Sequence, residues 1–189
     1  MKLSTLVILL ACVSGAFGQP NSSFYVAPTG NDSNPGTQAA PWRTIQHAAD
    51  TARAGSTVNV RGGIYEELVS INASGNATDG FITVRSYPGE TAVLEAAHLT
   101  PSERSGVLTI NSKSYVRIEG FEIRNYRTAE HRLVPLGINV IGAGSHIELL
   151  KNNVHHIEQT FEGRDAPGQG GNGFGIAVYG TDAKTPITD

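Results

Sequence analysis

The residues of this chain best equipped for chemistry fall in two polar stretches. Arg127 to Pro135 carries Arg127, His131 and Arg132, and Glu158 to Asn172 carries Glu162, Arg164 and Asp165 directly after His155-His156. Guanidinium groups hold planar anions through paired N–H donors, and imidazole adds a further donor or acceptor. Arg127, His131, Arg132, His155 and Arg164 are therefore the candidate ligand-binding residues. Carboxylates are the ligands a hard cation such as Ca2+ takes, so Glu162 and Asp165 are the candidate metal ligands. The plainer reading of both stretches is a solvated polar loop. For the histidines it is a turn residue hydrogen-bonded to a neighbouring segment. A strand alternates faces, so only one of His155 and His156 is expected to point outward. Past residue 18 the lysines are Lys113, Lys151 and Lys184, and no spacing marks any of them as a base.

Several motif matches fail on context. Gly168-Gln-Gly170-Gly-Asn-Gly173 fits G-x-G-x-x-G but leads into a strand, where a dinucleotide site needs a helix N-terminus. Gly170-Gly171-Asn172-Gly173 opens like a Ca2+-binding nonapeptide, yet Gly175 stands where the ligand Asp is needed. There is no G-x-S-x-G elbow, no H-E-x-x-H and no cysteine zinc site. Ca2+ remains the one cofactor considered; no organic cofactor is expected.

The elements that must position these residues follow from the rest of the chain. Its 189 residues suit one domain. A net charge of −3 and a pI near 6.1 argue against nucleic acid or an anionic membrane surface as partner. Residues 1–18 read as a signal peptide: Lys2, then an apolar run, then Ala16-Phe17-Gly18. The run is too short for a bilayer span, so the expected location is extracellular or periplasmic. Cys12 is the only cysteine, and an exported domain without disulfides must rely on its core, its backbone pairing or bound ions. The four sequons at Asn21, Asn31, Asn72 and Asn76 permit glycosylation without indicating it.

Phe24-Tyr25-Val26 reads as a strand, followed by dense Pro, Gly and Asn turn chemistry. Thr44 is placed to cap a helix reaching about Arg53, with Ile45, Ala48, Ala49 and Ala52 on one face and Gly55 at its end. Strands and turns follow. Residues 106–126 line up without a gap on 137–157, and a third copy opens at Gly175. Gly80 to Val84 looks like an earlier, degenerate start. A unit of about twenty residues cannot bury its own apolar face; stacking like units gives each strand parallel neighbours and one continuous column. The predicted fold is all-β: a right-handed parallel β-helix with an N-terminal capping α-helix. The cap is expected over 24–55, with coils from 56 through 189 and further coils beyond. An antiparallel sandwich is the rival, but it gives no reason for gapless repetition. The polar stretches become loops on one side, and the helix covers the first open edge.

Phe24-Tyr-Val-Ala-Pro-Thr-Gly-Asn-Asp-Ser-Asn-Pro-Gly-Thr37, Ala40-Pro-Trp-Arg-Thr-Ile-Gln46 and Gly55-Ser-Thr-Val-Asn-Val-Arg-Gly-Gly-Ile-Tyr-Glu66 resemble the cap and first coil of secreted parallel β-helix proteins of the pectate-lyase-like superfamily. The resemblance continues through Asn152-Asn153-Val154-His155 and Gly175-Ile-Ala-Val-Tyr-Gly180. It implies a polysaccharide partner and, when full length, a monomer. Three activities stay open: a lyase acting on an acidic polysaccharide by β-elimination, a glycoside hydrolase, and a non-catalytic glycan binder or adhesin. Fold does not choose among them. In such lyases the catalytic residues usually sit on middle or later coils, so they are expected beyond Asp189.

Overall fold

A computed structural model describes residues 22–103, 106–130, 132–160 and 173–180. The predicted signal peptide lies outside these residues.

The chain opens with β1 (Ser23–Val26) and α1 (Ile45–Thr51). Then come β2 (Thr57–Val60), β3 (Gly63–Tyr65), β4 (Val69–Ile71), β5 (Ile82–Ser86), β6 (Ala92–Glu95) and β7 (Gly106–Asn111). The order continues with β8 (Val116–Glu119), β9 (Glu122–Thr128), β10 (Leu136–Ile141), β11 (Ile147–Leu150), β12 (Asn153–Gln159) and β13 (Phe174–Tyr179). They form three parallel sheets: β1-β2-β5-β8-β11 (sheet A), β3-β6-β9-β12 (sheet B) and β4-β7-β10-β13 (sheet C). Each strand pairs with its counterpart one coil away, all in parallel, so the chain winds as a β-helix and the antiparallel sandwich is excluded.

Like residues stack above like. Val58, Val84, Ile118 and Leu149 form one inward row of sheet A, and Tyr65, Leu94, Ile123 and Val154 one of sheet B. Val69, Leu108, Ile138 and Ile176 form one of sheet C. Val58, Val84, Ile118, Leu94, Ile123, Leu108 and Ile138 are wholly buried. Each buried aliphatic side chain contributes about 1.5–3 kcal/mol, which is how units too small to fold singly hold together. On β13, Ile176 of the last row and its inward neighbours Phe174 and Val178 are about half exposed.

The repeat is not gapless. Leu108 pairs with Ile138 and Ile110 with Val140, while Val116 pairs with Ile147. The offset is therefore 30 residues in sheet C and 31 in sheet A. The turn at 142–146 holds one residue more than the turn at 112–115. A gapless match would have set inward Leu108 on outward Asn139; the extra turn residue keeps the faces in phase. Gly80 to Val84 is also reassigned. Ile82 and Val84 pair with Val116 and Ile118 in sheet A, and the true partner of β7 is β4.

The helix forms as its cap and stripe predict, and stops at Thr51 rather than Arg53. Thr44 Oγ1 accepts from the His47 N–H at 3.2 Å, and Ile45, Ala48, Ala49 and Ala52 are buried. It packs on β1, β2 and β4. Two partly buried carboxylates seat it. Asp32 accepts from the Arg43 and Thr44 N–H groups at 2.8 and 2.9 Å, and Glu67 from those of Ile45 and Gln46 at 2.8 and 3.0 Å.

Between sheets A and B the chain turns through a residue pair, Gly120-Phe121 and again Lys151-Asn152, whose first member has φ of 79° or 55°. Asn152 ties these turns together, accepting from the Phe121 N–H at 3.1 Å and donating to the Ile118 carbonyl at 3.0 Å. The B-to-C connection at 129–135 carries most of the first polar stretch, and most of the second, 161–172, lies outside the described residues.

Candidate functional site

On sheet C, Ser70, Thr109, Asn139 and Ala177 form one outward-pointing row, of which Asn139 is buried, and Asn111, Ile141 and Tyr179 the next. A groove of about 380 Å3 runs over this face, lined by Ser70, Ile71, Asn72, Thr109, Asn111 and Lys113. Its donors and acceptors come from consecutive rungs, which suits a ligand that extends along the axis. Sequence reasoning missed these residues. The legible signal was the alternation in Val69-Ser70-Ile71 and Leu108-Thr109-Ile110-Asn111, with a polar side chain at each outward position.

The candidate residues are dispersed by comparison. Arg127 is not in a loop: it lies within β9 and pairs with Glu158 of β12 at 3.3 Å, both about half exposed. The longer B-sheet strands of these two coils place the pair directly opposite each other. Arg132 is exposed in the turn that follows. His131, Glu162, Arg164 and Asp165 lie outside the described residues. Among the described residues no three His, Cys, Asp or Glu side chains come together in a way that could hold a metal ion.

His155 and His156 overturn the expectation of strict alternation. His156 has φ of 55°, and its neighbour on β9, Asn125, has φ of 61°. These paired left-handed residues rotate the strand so that both rings lie on the outer surface, with centroids 4.8 Å apart and Nδ1 atoms 2.6 Å apart. One ring donates to the other. His155 Nε2 also meets Glu122 Oε1 at 3.3 Å, the cross-coil contact of the plainer reading.

That contact belongs to a ladder over sheet B. Arg124 donates to Glu95 at 2.7 Å and to Glu122 at 2.6 Å, and Asn125 donates to Glu95 at 3.0 Å. The Arg124 hydrogen bond holds the Glu122 carboxyl below the usual range. At Glu95 burial works the other way, but hydrogen bonds from Arg124, Asn125 and the Ala97 N–H outweigh it and the net direction is down. Arg124, Glu95 and Glu122 all have partners within the ladder, so it braces the coils.

A second concavity, about 760 Å3, separates the cap from the first coil and is lined by Asp32, Arg43, Ile64 and Glu66 among others. Its deeper carboxylates, Asp32 and Glu67, are taken up with the helix. Burial raises the pKa of Glu67 despite the N–H groups it accepts from.

The family model for Pel9A-like right-handed β-helix regions matches residues 24–183. The chain belongs to this family. That settles the hand of the helix and places the fold with the pectate-lyase-like proteins. The chain is 36% identical over 146 residues to the uncharacterized protein YwoF of Bacillus subtilis, spanning 76% of this chain and 31% of YwoF. It is 32% identical over 121 residues to the pectate lyase PEL9 of Emericella nidulans, spanning 62% of this chain and 29% of the lyase. Among solved structures, the GH136 lacto-N-biosidase of Eubacterium ramulus superposes with a TM-score of 0.59 at 17% identity, over 70% of this chain and 26% of that one. This last likeness concerns the fold alone. The chain thus spans about a third of the length of the curated relatives it matches, and the fold is shared by lyase and hydrolase.

Proposed function

We propose that this protein is a secreted polysaccharide lyase, acting on an acidic polysaccharide by β-elimination, whose polymer lies along the outer face of sheet C. The observation that carries this reading is the polar groove over consecutive rungs of a coil, in a chain 32% identical to a pectate lyase. A linear polymer needs repeated contacts at a fixed spacing. A parallel solenoid supplies them at about 4.8 Å per rung. The reaction removes the C5 proton of a uronate, expels the glycosidic oxygen at C4 and leaves an unsaturated uronate. Export is supported by residues 1–18, and no helix among the described residues is long and apolar enough to cross a membrane.

The test is to incubate the full chain with polygalacturonate, alginate and chondroitin, with added Ca2+ and with chelator. Ultraviolet absorbance of unsaturated uronates is the expected result. New reducing ends without absorbance would replace the lyase with a hydrolase. Retention on polymer without turnover would make the protein a binder.

A further inference from the structure

From the groove over sheet C, we infer that Lys113 is the anion-binding residue of a subsite for a negatively charged sugar. The inference rests on the reading of the groove as the polymer's track and adds a charge requirement to it. Lys151, by contrast, pairs with Glu119 at 3.2 Å, and Lys184 lies outside the described residues. Lys113 makes no ion pair or side-chain hydrogen bond among the described residues, and no carboxylate lines its groove. On the cap side, Asp50 is engaged by Asn72 at 2.7 Å and by Gln46 at 2.9 Å.

The neighbouring groups are turned toward the same task. Asn111 accepts from the Ser112 hydroxyl at 3.0 Å through Oδ1, which leaves its Nδ2 donors to the groove. Asn72 spends Nδ2 on Asp50 and keeps Oδ1 as an acceptor for a sugar hydroxyl. The hydroxyls of Ser70 and Thr109 stand on adjacent rungs between them. An ammonium and an amide donor beside hydroxyl-sized polar groups match a carboxylate or sulfate carried on a saccharide better than a neutral glycan.

The turn that carries Lys113 is held from both sides. The Ser114 N–H donates to Ser74 Oγ at 3.1 Å above it, and the Ser145 N–H to Ser114 Oγ at 3.1 Å below it. Gly144 lies under the Lys113 carbonyl so closely that a Cβ there would come within 2.2 Å of it. The backbone of Lys113 is thus fixed before any ligand arrives, and the glycine beneath puts no side chain in the way.

The test uses the full chain and three probes: oligogalacturonate, its methyl ester, and a sulfated but uronate-free carrageenan oligomer. Binding is measured by calorimetry. The acylation rate of each lysine is read by peptide mass with and without saturating probe. The expected result is that an anionic probe slows labelling of Lys113 about fivefold or more and leaves Lys151 unchanged. Lys113→Gln should weaken that probe about tenfold, the scale of one charge-assisted contact, while Lys113→Arg retains binding and the neutral ester is indifferent to both. Whether oligogalacturonate or carrageenan binds identifies the anion as carboxylate or sulfate. Anionic binding that ignores Lys113→Gln and leaves Lys113 labelling unchanged overturns the subsite and spares the lyase reading. Protection of Lys113 without unsaturated product does the reverse. Binding of no anionic probe overturns both.

Discussion

Gln46 completes sheet C from the helix. Its side-chain Nε2 donates to the Ser70 carbonyl at 3.1 Å while its Oε1 accepts from the Ser70 N–H at 2.7 Å. Ser70 is the middle residue of β4, the first strand of its sheet. The amide takes the place of the strand that would otherwise lie on that edge. An open edge is a template for aggregation, and this contact closes it with one side chain.

Replacing Gln46 by Ala should therefore cost about 1–2 kcal/mol and make the first coil more adhesive. Urea unfolding reads the first effect, and the oligomer fraction in size-exclusion chromatography the second. Gln46→Glu keeps the acceptor but sets a carboxylate oxygen against Asp50 and the Ser70 carbonyl, so it should be at least as costly as Gln46→Ala.

Gly144→Ala tests the packing of successive turns. The added methyl meets the Lys113 carbonyl, and the turn above must shift, at a cost of about 1–3 kcal/mol in the unfolding free energy. If the groove binds polymer, the same variant should weaken binding although residue 144 has no side chain of its own to offer.

Acid should destabilise the protein through Glu95 and Glu122. Both have folded pKa values below their unfolded ones, so their contribution is present above the ordinary carboxylate pKa, about 4.3, and is lost as the pH falls through the depressed values. The deficit of Glu95→Gln relative to the parent should grow as pH rises from 3 to 6. Glu67 has the opposite sign. Its folded pKa is raised, so its contribution is lost as pH rises through that value, and Glu67→Gln should gain on the parent over the same range. Chemical denaturation at a series of pH values measures both slopes.

The Arg127–Glu158 pair should be energetically minor. Its side chains are 47% and 45% exposed, and a double-mutant cycle on Arg127→Ala and Glu158→Ala is expected to give a coupling below about 1 kcal/mol. Arg124→Ala should be the more damaging change, because it strips two carboxylates of their partner at once.

Much of this architecture could be read from residue order. Period-two aliphatics around Val116 and Ile118, the repeated aliphatic pattern and the Thr44 cap are local signals, and a local signal survives without knowledge of the fold. The errors arose where one residue changed phase. The additional residue in the turn at 142–146 is invisible to an alignment that still matches glycines, yet it decides which side chains of β10 enter the core. The left-handed φ of Asn125 and His156 is only weakly signalled by residue type, because Asn and His visit that region more often than most side chains but still seldom. Both residues share this conformation on adjacent coils, and at His156 it turns both histidines outward.

The amino-acid order alone determined that this chain winds rather than folds back, since short apolar rows recurring at coil length can be buried only by their own copies. Tertiary structure alone decided which polar residues act together. Arg127 and Glu158 neutralise each other, Lys151 is taken by Glu119, and Lys113 is left facing a groove built from strands some forty residues apart. Winding is a property of hydrophobic period, which is written along the chain. Charge pairing depends on what lies one rung above and below, and that is set by turn lengths, which the rows of apolar residues do not record.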